Sequence, residues 1–139
     1  MEIRNGIRLQ FDGAVAIVKL DMPPVNALGL DNYQEIARTF DRLSDMASVR
    51  AVVLTAAGKA FCAGVDMKKR GQAVKDDGDT WSYLRAARES FYAIRECKKP
   101  VVAAINGVAL GAGFGLAAHS HILIASGNAS AGPPEIDGR

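Results

Sequence analysis

Residues 101–116 constrain the fold more than any other stretch of the chain, and their sequence is VVAAINGVALGAGFGL. They begin as an apolar run rich in β-branched side chains, reach a turn signal at Asn106-Gly107, and continue with three glycines around Ala112. This order predicts a strand, a turn and the start of a helix. Glycines let another group approach the backbone, and the first N–H groups of a helix have no partners within it. With the positive end of the helix dipole they suit a developing oxyanion, so the junction is a candidate active site.

The same stretch has an alternative interpretation as a membrane-spanning helix. Residues 100–134 contain no Asp, Glu, Lys or Arg, and this uncharged run is long enough to cross a bilayer. Three of its glycines recur at a spacing found on helix-dimer faces. Against this, the asparagine-glycine turn signal and the residues His119, Ser120 and His121 interrupt the apolar run. We therefore expect two buried strands on either side of a short helix.

Composition places the chain among soluble globular proteins of one domain. Its 139 residues are enough for a modest core, and 49% hydrophobic with 23% charged residues is ordinary for such a domain. Seventeen basic and fifteen acidic residues leave a net charge of +2. This is not the strongly basic surface of a nucleic-acid-binding protein, so neither a nucleic-acid partner nor a membrane is expected.

The two cysteines, Cys62 and Cys97, lack the spacing of metal ligands, and the chain starts without the apolar segment of a secretory signal. These features predict reduced thiols, no metal site and a cytoplasmic location. A disulfide between the two cysteines is the less favoured alternative.

The apolar pattern predicts the first half of the chain as a hairpin, a helix and a strand. Residues 7–11 and 15–20 flank the turn of the hairpin, and Asp31 is positioned to cap the helix. That helix has one apolar stripe, made of Tyr33, Ile36, Ala37, Phe40 and Leu43. Residues 49–55 predict a buried parallel strand, and the small-residue loop at 56–66 follows its carboxyl end, where α/β sheets place ligands.

The second half predicts a surface segment, a second helix and the elements around the glycine-rich stretch. Residues 68–78 are charged and contain glycine, which is typical of a mobile surface segment. The second helix has one apolar face, made of Trp81, Leu84, Ala87, Phe91 and Ile94, and it stops before Pro100. Residues 112–118 predict a short helix and residues 121–125 a strand. No segment has the composition of a linker, so residues 1–139 are predicted as one α/β domain.

Two segments resemble the signature loops of the crotonase family, also called the enoyl-CoA hydratase/isomerase family. They are residues 60–67, AFCAGVDM (the first loop), and residues 106–113, NGVALGAG (the second loop). Three further matches occur in the family's order, namely PVNAL at 24–28, KPVVAAI at 99–105 and PEI at 134–136. The resemblance implies an α/β, crotonase-like (ClpP/crotonase) fold, which is a spiral of ββα units. Family members continue after the PEI match, so this chain is expected to lack their C-terminal helical region.

The resemblance implies an acyl-CoA thioester as the substrate and an enolate of the thioester carbonyl as the intermediate. By position, the backbone N–H groups of Val65 and Ala112 match the two donors that stabilise this enolate. The small residues Ala63, Gly64 and Gly111 would admit the thioester beside them. One such donor is typically worth about 3–4 kcal/mol of barrier, so two would carry much of the rate acceleration.

The family's hydratases divide their acid–base work between two glutamates. Along this sequence the first of these positions falls on Gly115, which cannot titrate, and the second falls on Glu135. Glu135 is therefore the expected general acid–base. One carboxylate can move a proton between two carbons of a CoA dienolate, so double-bond isomerisation needs fewer groups than hydration, and both reactions stay open. Neither His119 nor His121 is assigned a catalytic role.

The resemblance also implies where the parts of CoA would lie. The adenine slot is implied at four residues of the first loop: Ala60, Ala63, Asp66 and Met67. The pantetheine path is implied at two residues of an earlier match: Ala27 and Leu28. The remaining substrate-binding positions are Gly64, Leu110, Gly111 and Pro134. Four cationic side chains are either partners of the CoA phosphates or part of a solvated surface: Lys59, Lys68, Lys69 and Arg70.

No permanently bound cofactor is implied, because CoA enters as part of the substrate. The family's assembly as trimers or dimers of trimers leads us to expect a homo-oligomer. The length of the chain leaves an alternative function, in which it is a non-catalytic module of the same fold that binds CoA or takes part in oligomer assembly.

Overall fold

The computed structural model describes residues 1–132, which form two sheets and four helices. The strands are β1 (Glu2–Arg4), β2 (Ile7–Asp12), β3 (Val15–Leu20), β4 (Ala51–Ala56), β5 (Val101–Ile105), β6 (Val108–Leu110), β7 (Ile122–Ala125) and β8 (Ser130–Gly132). The helices are α1 (Leu30–Asp45), α2 (Met67–Ala73), α3 (Asp77–Arg95) and α4 (Ala112–Ala118). Alternate residues of β3, β4 and β5 are buried and join the apolar faces of α1 and α3 in a hydrophobic core.

The strand order places the two candidate loops beside each other. The larger sheet has the order β1-β2-β3-β4-β5-β7, in which β1 to β3 pair antiparallel and β3, β4, β5 and β7 pair parallel. The first loop follows β4 and the second loop follows β5. Because β4 and β5 are parallel neighbours, the two loops emerge at the same edge of the sheet. The second sheet, β6 with β8, lies at this edge as well.

The predicted apolar face of α3 is wrong at two of its five residues, whereas Ile94 is buried and Ala87 and Phe91 pack against the core. Trp81 is 68% exposed and Leu84 is 51% exposed, although the pattern placed both of them in the core. The fully buried residues of α3 are Tyr83, Ala86, Ser90, Ala93 and Ile94, of which only Ile94 was predicted. Most of these side chains are small, which lets α3 approach α1 closely. The prediction was based on the helical spacing of bulky apolar residues, whereas the close interface between α1 and α3 is made mainly by small residues of α3.

One prediction at a helix end is wrong, and another is incomplete. Asp31 does not cap α1, because the helix already starts at Leu30, and the carbonyl of the Asn32 side chain accepts the Gly29 N–H at 2.8 Å. Residues 68–78 lie on the surface as predicted, and the pattern missed only that they are helical over most of α2 and the start of α3. The Asp66 carboxylate caps α2 by accepting the Lys69 N–H at 3.0 Å. An aspartate before a short charged run therefore outweighs the glycine within it.

The other predicted elements are present, but the strand after α4 is not buried as predicted, because β7 is the last strand of the larger sheet and all four of its residues are exposed. The hairpin pairs Ile7 with Leu20 and Asp12 with Val15, β4 is buried and parallel to its neighbours, and α4 has the predicted bounds. Cys62 and Cys97 are both buried free thiols, so the disulfide alternative is wrong. Within residues 1–132, no helix is both long enough and apolar enough to cross a bilayer.

Candidate functional site

The two loops contact each other backbone against backbone. The N–H groups of Phe61 and Cys62 both donate to the Val108 carbonyl at 3.0 Å, and the Leu110 N–H donates to the Cys62 carbonyl at 2.9 Å. Gly113 completes the contact from the start of α4, because a Cβ at this position would lie 2.3 Å from the Cys62 carbonyl oxygen. Only glycine leaves room for the first loop here, so this residue couples the two loops.

The first loop is also held on its other side. The Leu28 N–H donates to the Gly64 carbonyl at 2.7 Å, and the Asp66 N–H donates to the Leu28 carbonyl at 2.8 Å. The Tyr83 hydroxyl of α3 donates to the same Leu28 carbonyl at 3.0 Å. Gly64 has a φ of +102°, and a Cβ there would lie 3.0 Å from the Leu110 carbonyl oxygen. Gly64 therefore permits both an unusual backbone angle and the close approach of the second loop.

The backbone N–H groups of Val65 and Ala112 make no hydrogen bond with any residue of the described range. Leu28 and Val65 form an isolated parallel β-bridge, whose hydrogen bonds run from the Leu28 N–H to Gly64 and from the Asp66 N–H to Leu28. The Val65 N–H takes no part in this bridge. Ala112 is the first residue of α4, where an N–H has no partner inside the helix. The position of a Cβ on Gly64 lies 3.8 Å from the Ala112 nitrogen, so the two segments are adjacent. Two donors that have no acceptor among residues 1–132 thus lie on adjoining backbone segments.

Two asparagine side chains hold the segment that leads from β4 into the first loop. Asn26 is 2% exposed, and its amide donates to the carbonyls of Ala57 and Ala60 at 2.9 Å and accepts the Met22 N–H at 2.8 Å. The Asn106 amide donates to the carbonyls at positions 56 and 58, both at 3.1 Å. The sequence analysis did not identify Asn26 as a residue that holds the first loop. The one sequence feature that could have indicated this role was its position in a Pro-Val-Asn turn.

A cavity of about 430 Å³ lies between the first loop, the segment at 22–27 and the start of α2. Five residues predicted to bind or activate the substrate line it: Ala27, Ala63, Val65, Asp66 and Met67. Lys69 lines it too, whereas Lys59 and Lys68 are exposed elsewhere on the loop and helix. Leu28 and Ala60 are buried and do not contribute to its lining. The Arg70 guanidinium lies over the Tyr83 ring, 5.9 Å from its centroid. The volume is within the range of small-ligand pockets.

The remaining predicted residues belong to the second loop or to the end of the chain. Leu110 and Gly111 are half-buried beside the first loop, and the Gly111 N–H donates to the Gly132 carbonyl at 3.1 Å. Strand β8 therefore brings residue 132 to the candidate site. Pro134 and Glu135 lie outside the described residues.

Gly115, which the resemblance matched to the first glutamate of the hydratases, faces an aromatic ring. A Cβ on Gly115 would lie 2.9 Å from the Phe91 ring of α3. Phe91 stacks on the His119 ring with centroids 5.0 Å apart, and His119 Nδ1 lies 2.7 Å from the Gly115 carbonyl oxygen. His121 has a structural contact, because its Nδ1 accepts the Val101 N–H at 2.9 Å. Gly115 and Phe91 are thus a steric pair, and a larger residue at position 115 would displace the ring. Neither residue type alone signals this pairing in the sequence.

The region behind the first loop is apolar enough to change the pKa of its titratable groups. Burial raises the pKa of the Cys62 thiol to about 11, against a smaller lowering by a hydrogen bond with the backbone of Gly64. Burial also raises the pKa of Tyr33, whose hydroxyl has no partner in the described part of the chain. Burial raises the pKa of Tyr83, and the positive charge of Arg70 partly offsets this rise. All three groups therefore favour their neutral forms.

These pKa values predict that the protein loses stability in alkaline solution. In the folded chain Cys62 keeps its proton until about pH 11, whereas a thiol of an unfolded chain loses it at about pH 8.5. The unfolded state binds fewer protons between these values, so the free energy of unfolding falls as pH rises through this window. Urea denaturation at pH 7 and at intervals above pH 8.5 measures the fall. A Cys62→Ala variant should show a shallower fall, by on the order of 2 kcal/mol, and parallel profiles for variant and parent would contradict the prediction.

Comparisons with known proteins agree with this arrangement. The profile of the enoyl-CoA hydratase/isomerase family matches residues 10–137. A short-chain-enoyl-CoA hydratase from Clostridium acetobutylicum is 37% identical over 138 residues, which cover 98% of this chain and 52% of that protein. A hexahydro-1H-indene-carboxyl-CoA hydrolase from Mycobacterium tuberculosis is 36% identical over 126 residues, covering 88% and 49% respectively. The solved structure of an enoyl-CoA hydratase/isomerase from Mycobacterium paratuberculosis superposes with a TM-score of 0.89 at 34% identity, covering 99% of this chain and 55% of that one.

The parallel sheet with its two adjoining loops is the crotonase fold of these solved relatives. The chain belongs to the enoyl-CoA hydratase/isomerase family. It spans about half the length of the curated relatives it matches. The hydratase and the hydrolase have nearly the same identity to it, so overall similarity does not select one reaction.

Proposed function

We propose that this chain binds an acyl-CoA thioester and stabilises the enolate of its carbonyl with the backbone N–H groups of Val65 and Ala112. The observation that carries the proposal is that both groups lack an acceptor within residues 1–132, while the backbone on either side of them is hydrogen-bonded. A thioester oxygen placed between them would accept two hydrogen bonds that strengthen as negative charge develops. The donors are fixed by the loop contacts before substrate arrives, so no reorganisation is needed during the reaction.

Glu135 is the proposed general acid–base of the same site. It follows Gly132 by three residues, and the Gly132 carbonyl is bonded to the second loop. Phe91 fills the space beside Gly115, which supports a mechanism with one carboxylate. A single carboxylate can take a proton from the α-carbon of a 3-enoyl thioester, which leaves a dienolate, and can return that proton to the γ-carbon, which gives the 2-enoyl isomer. We therefore favour double-bond isomerisation over hydration as the reaction.

The cavity beside the first loop is the proposed position of part of the CoA group. Small and apolar side chains form much of its lining, and Lys69 adds a cation that can meet a phosphate. CoA is part of the substrate in this proposal, and no metal or permanently bound cofactor takes part. A cytoplasmic location and a homo-oligomeric state remain parts of the proposal.

The second candidate function is that of a non-catalytic module in CoA binding or oligomer assembly. One observation favours it: β7 is the last strand of the larger sheet, and its side chains are exposed along its whole length. Ile122, Leu123 and Ile124 are each about half-exposed. An apolar edge strand of this kind is ordinarily covered by another element or chain. Thioester binding without turnover would support this function over catalysis.

The test of the proposed site is calorimetric titration of the chain with acetoacetyl-CoA, which mimics the enolate. We expect saturable binding that is much tighter than that of free CoA. An Ala112→Pro variant should weaken this binding by about 100-fold, because proline removes the N–H group but is tolerated at the first position of a helix. An Ala112→Ser variant keeps the N–H and serves as the control. Equal binding by the proline variant, or no binding by a folded parent chain, would contradict the proposal.

A further inference from the structure

The outward face of α3 carries a stripe of aromatic, aliphatic and cationic side chains that the proposed site does not use. We call it the α3 stripe, and it consists of Trp81, Leu84, Arg85, Arg88, Tyr92 and Arg95. All six residues are exposed. They recur at helical spacing over four turns, so they share one side of the helix. The core of the protein lies against the opposite side, at Tyr83, Ala86 and Ser90.

The first part of the stripe forms a groove. Trp81, Leu84, Arg85 and Arg88 line a volume of about 320 Å³. Trp81 is 68% exposed, which is a large apolar area to leave in water. Tryptophan and arginine are also the residue types that contribute most often to binding at protein interfaces. The composition of the groove is therefore that of a contact surface rather than of an ordinary solvated helix face.

The charges of the stripe define the partner. Among the described residues, neither Arg85 nor Arg88 forms an ion pair, so both guanidinium groups are available to carboxylates. Further along the helix, Arg95 lies over the Tyr92 ring at 5.3 Å and pairs with Glu96 at 3.4 Å, so the unpaired positive charge of the stripe is that of Arg85 and Arg88. An acidic partner with bulky apolar residues matches both properties, since carboxylates pair with the arginines while apolar side chains cover Trp81.

The shape of the stripe favours a helix as the bound element. The stripe follows the axis of α3 from residue 81 to residue 95, which is about 21 Å at the rise of an α-helix. Side-chain ridges along such an axis accept the ridges of a second helix. We propose that the α3 stripe binds an acidic amphipathic helix of a partner protein, independently of the proposed acyl-CoA site.

A lipid surface fits the same stripe less well. Asp76 and Asp77 are exposed at the amino end of α3, about one helical turn before Trp81. A flat anionic bilayer that reached Trp81 would also meet these two carboxylates, whose charges it repels. A discrete helix can contact Arg85 and Arg88 without approaching them.

Trp81 is the single tryptophan of the chain, so its fluorescence reports directly on the stripe. The probe is a synthetic helical peptide of about four turns, with leucine and phenylalanine along one side and glutamate on the flanks. We expect titration of the full chain to give a saturable blue shift of the emission. A matched peptide with glutamine in place of glutamate should bind at least about tenfold more weakly.

Charge-reversal variants separate the stripe from general electrostatics. Arg85→Glu with Arg88→Glu should abolish the blue shift produced by the acidic peptide. Arg4→Glu with Arg50→Glu makes the same change in net charge at two exposed positions away from α3, and it should leave the titration unchanged.

Four results would overturn the proposal. The first is the absence of a shift with the acidic peptide. The second is an equal loss of binding in the two double variants. The third is a shift produced only by vesicles of phosphatidylcholine and phosphatidylserine, which would identify a lipid surface. The fourth is a shift that depends on protein concentration without peptide, which would identify a second copy of the chain.

Discussion

A Gly113→Ala substitution will lower the free energy of unfolding by about 3 kcal/mol or more. The added methyl group would lie 2.3 Å from the Cys62 carbonyl oxygen and 2.6 Å from the Cys62 Cβ, so one of the two loops must move. Neither neighbour can give way cheaply, because Cys62 is fully buried and its carbonyl accepts the Leu110 N–H. Urea denaturation followed by circular dichroism measures the loss of stability.

The same alanine substitution at Gly71 or Gly127 is the matched control. A Cβ at either position would have no atom within 4 Å, and neither residue has a positive φ. Gly71 lies within α2, where alanine should raise the free energy of unfolding by up to about 1 kcal/mol. A Gly113→Ala protein whose stability stays within about 0.5 kcal/mol of the parent would show that the loops are not packed as described.

Gly113 also illustrates why the candidate site could be located from the sequence. The site is made of backbone groups, and backbone approach demands small residues at fixed positions, which a sequence displays directly. The apolar run before the first loop indicated a parallel strand, and parallel neighbours carry the loops that follow them to one edge of a sheet. Strands β4 and β5 do carry them there. The order strand, turn and helix at residues 101–118 was predicted for the same reason.

The parts that could not be predicted depend on contacts between distant segments. Helical periodicity put Trp81 and Leu84 in the core, because it records apolar volume and not which side of α3 fits closely against α1. The Asn26 side chain bonds to Ala57 and Ala60, which lie more than thirty positions away in the chain. Such partners follow from the fold and leave no local pattern.

The contact between Phe91 and Gly115 has the clearest consequence for chemistry. In sequence terms Gly115 is only a missing glutamate. In the structure the space beside it holds an aromatic ring stacked on His119, so replacing Gly115 alone would not restore a carboxylate to a free position. The space beside this position is thus filled by an aromatic ring, and proton transfer in the proposed mechanism falls to a carboxylate outside α4.

A Glu135→Ala substitution should therefore lower turnover of an enoyl-CoA thioester by about 100- to 10,000-fold, the usual contribution of a general acid–base. Binding of acetoacetyl-CoA should be spared, because the proposed enolate donors are the backbone groups of Val65 and Ala112. Isomerisation of a 3-enoyl-CoA and hydration of a 2-enoyl-CoA are followed separately by the absorbance of the conjugated thioester. An Asp137→Asn variant, which neutralises the other acid of the same segment, is the matched control and should keep the parent's turnover.

Comparison of binding with turnover then assigns each failure to one part of the site. Equal turnover in Glu135→Ala and parent would contradict the role of Glu135 and leave the two N–H donors untouched. Loss of acetoacetyl-CoA binding together with turnover would mean that Glu135 holds the site together and does not move protons. A parent chain that binds acetoacetyl-CoA as tightly as its Glu135→Ala variant, with no turnover in either, would identify a binding module. That result follows if the donors are formed by residues 1–132 while proton transfer requires residues that this half-length chain does not supply.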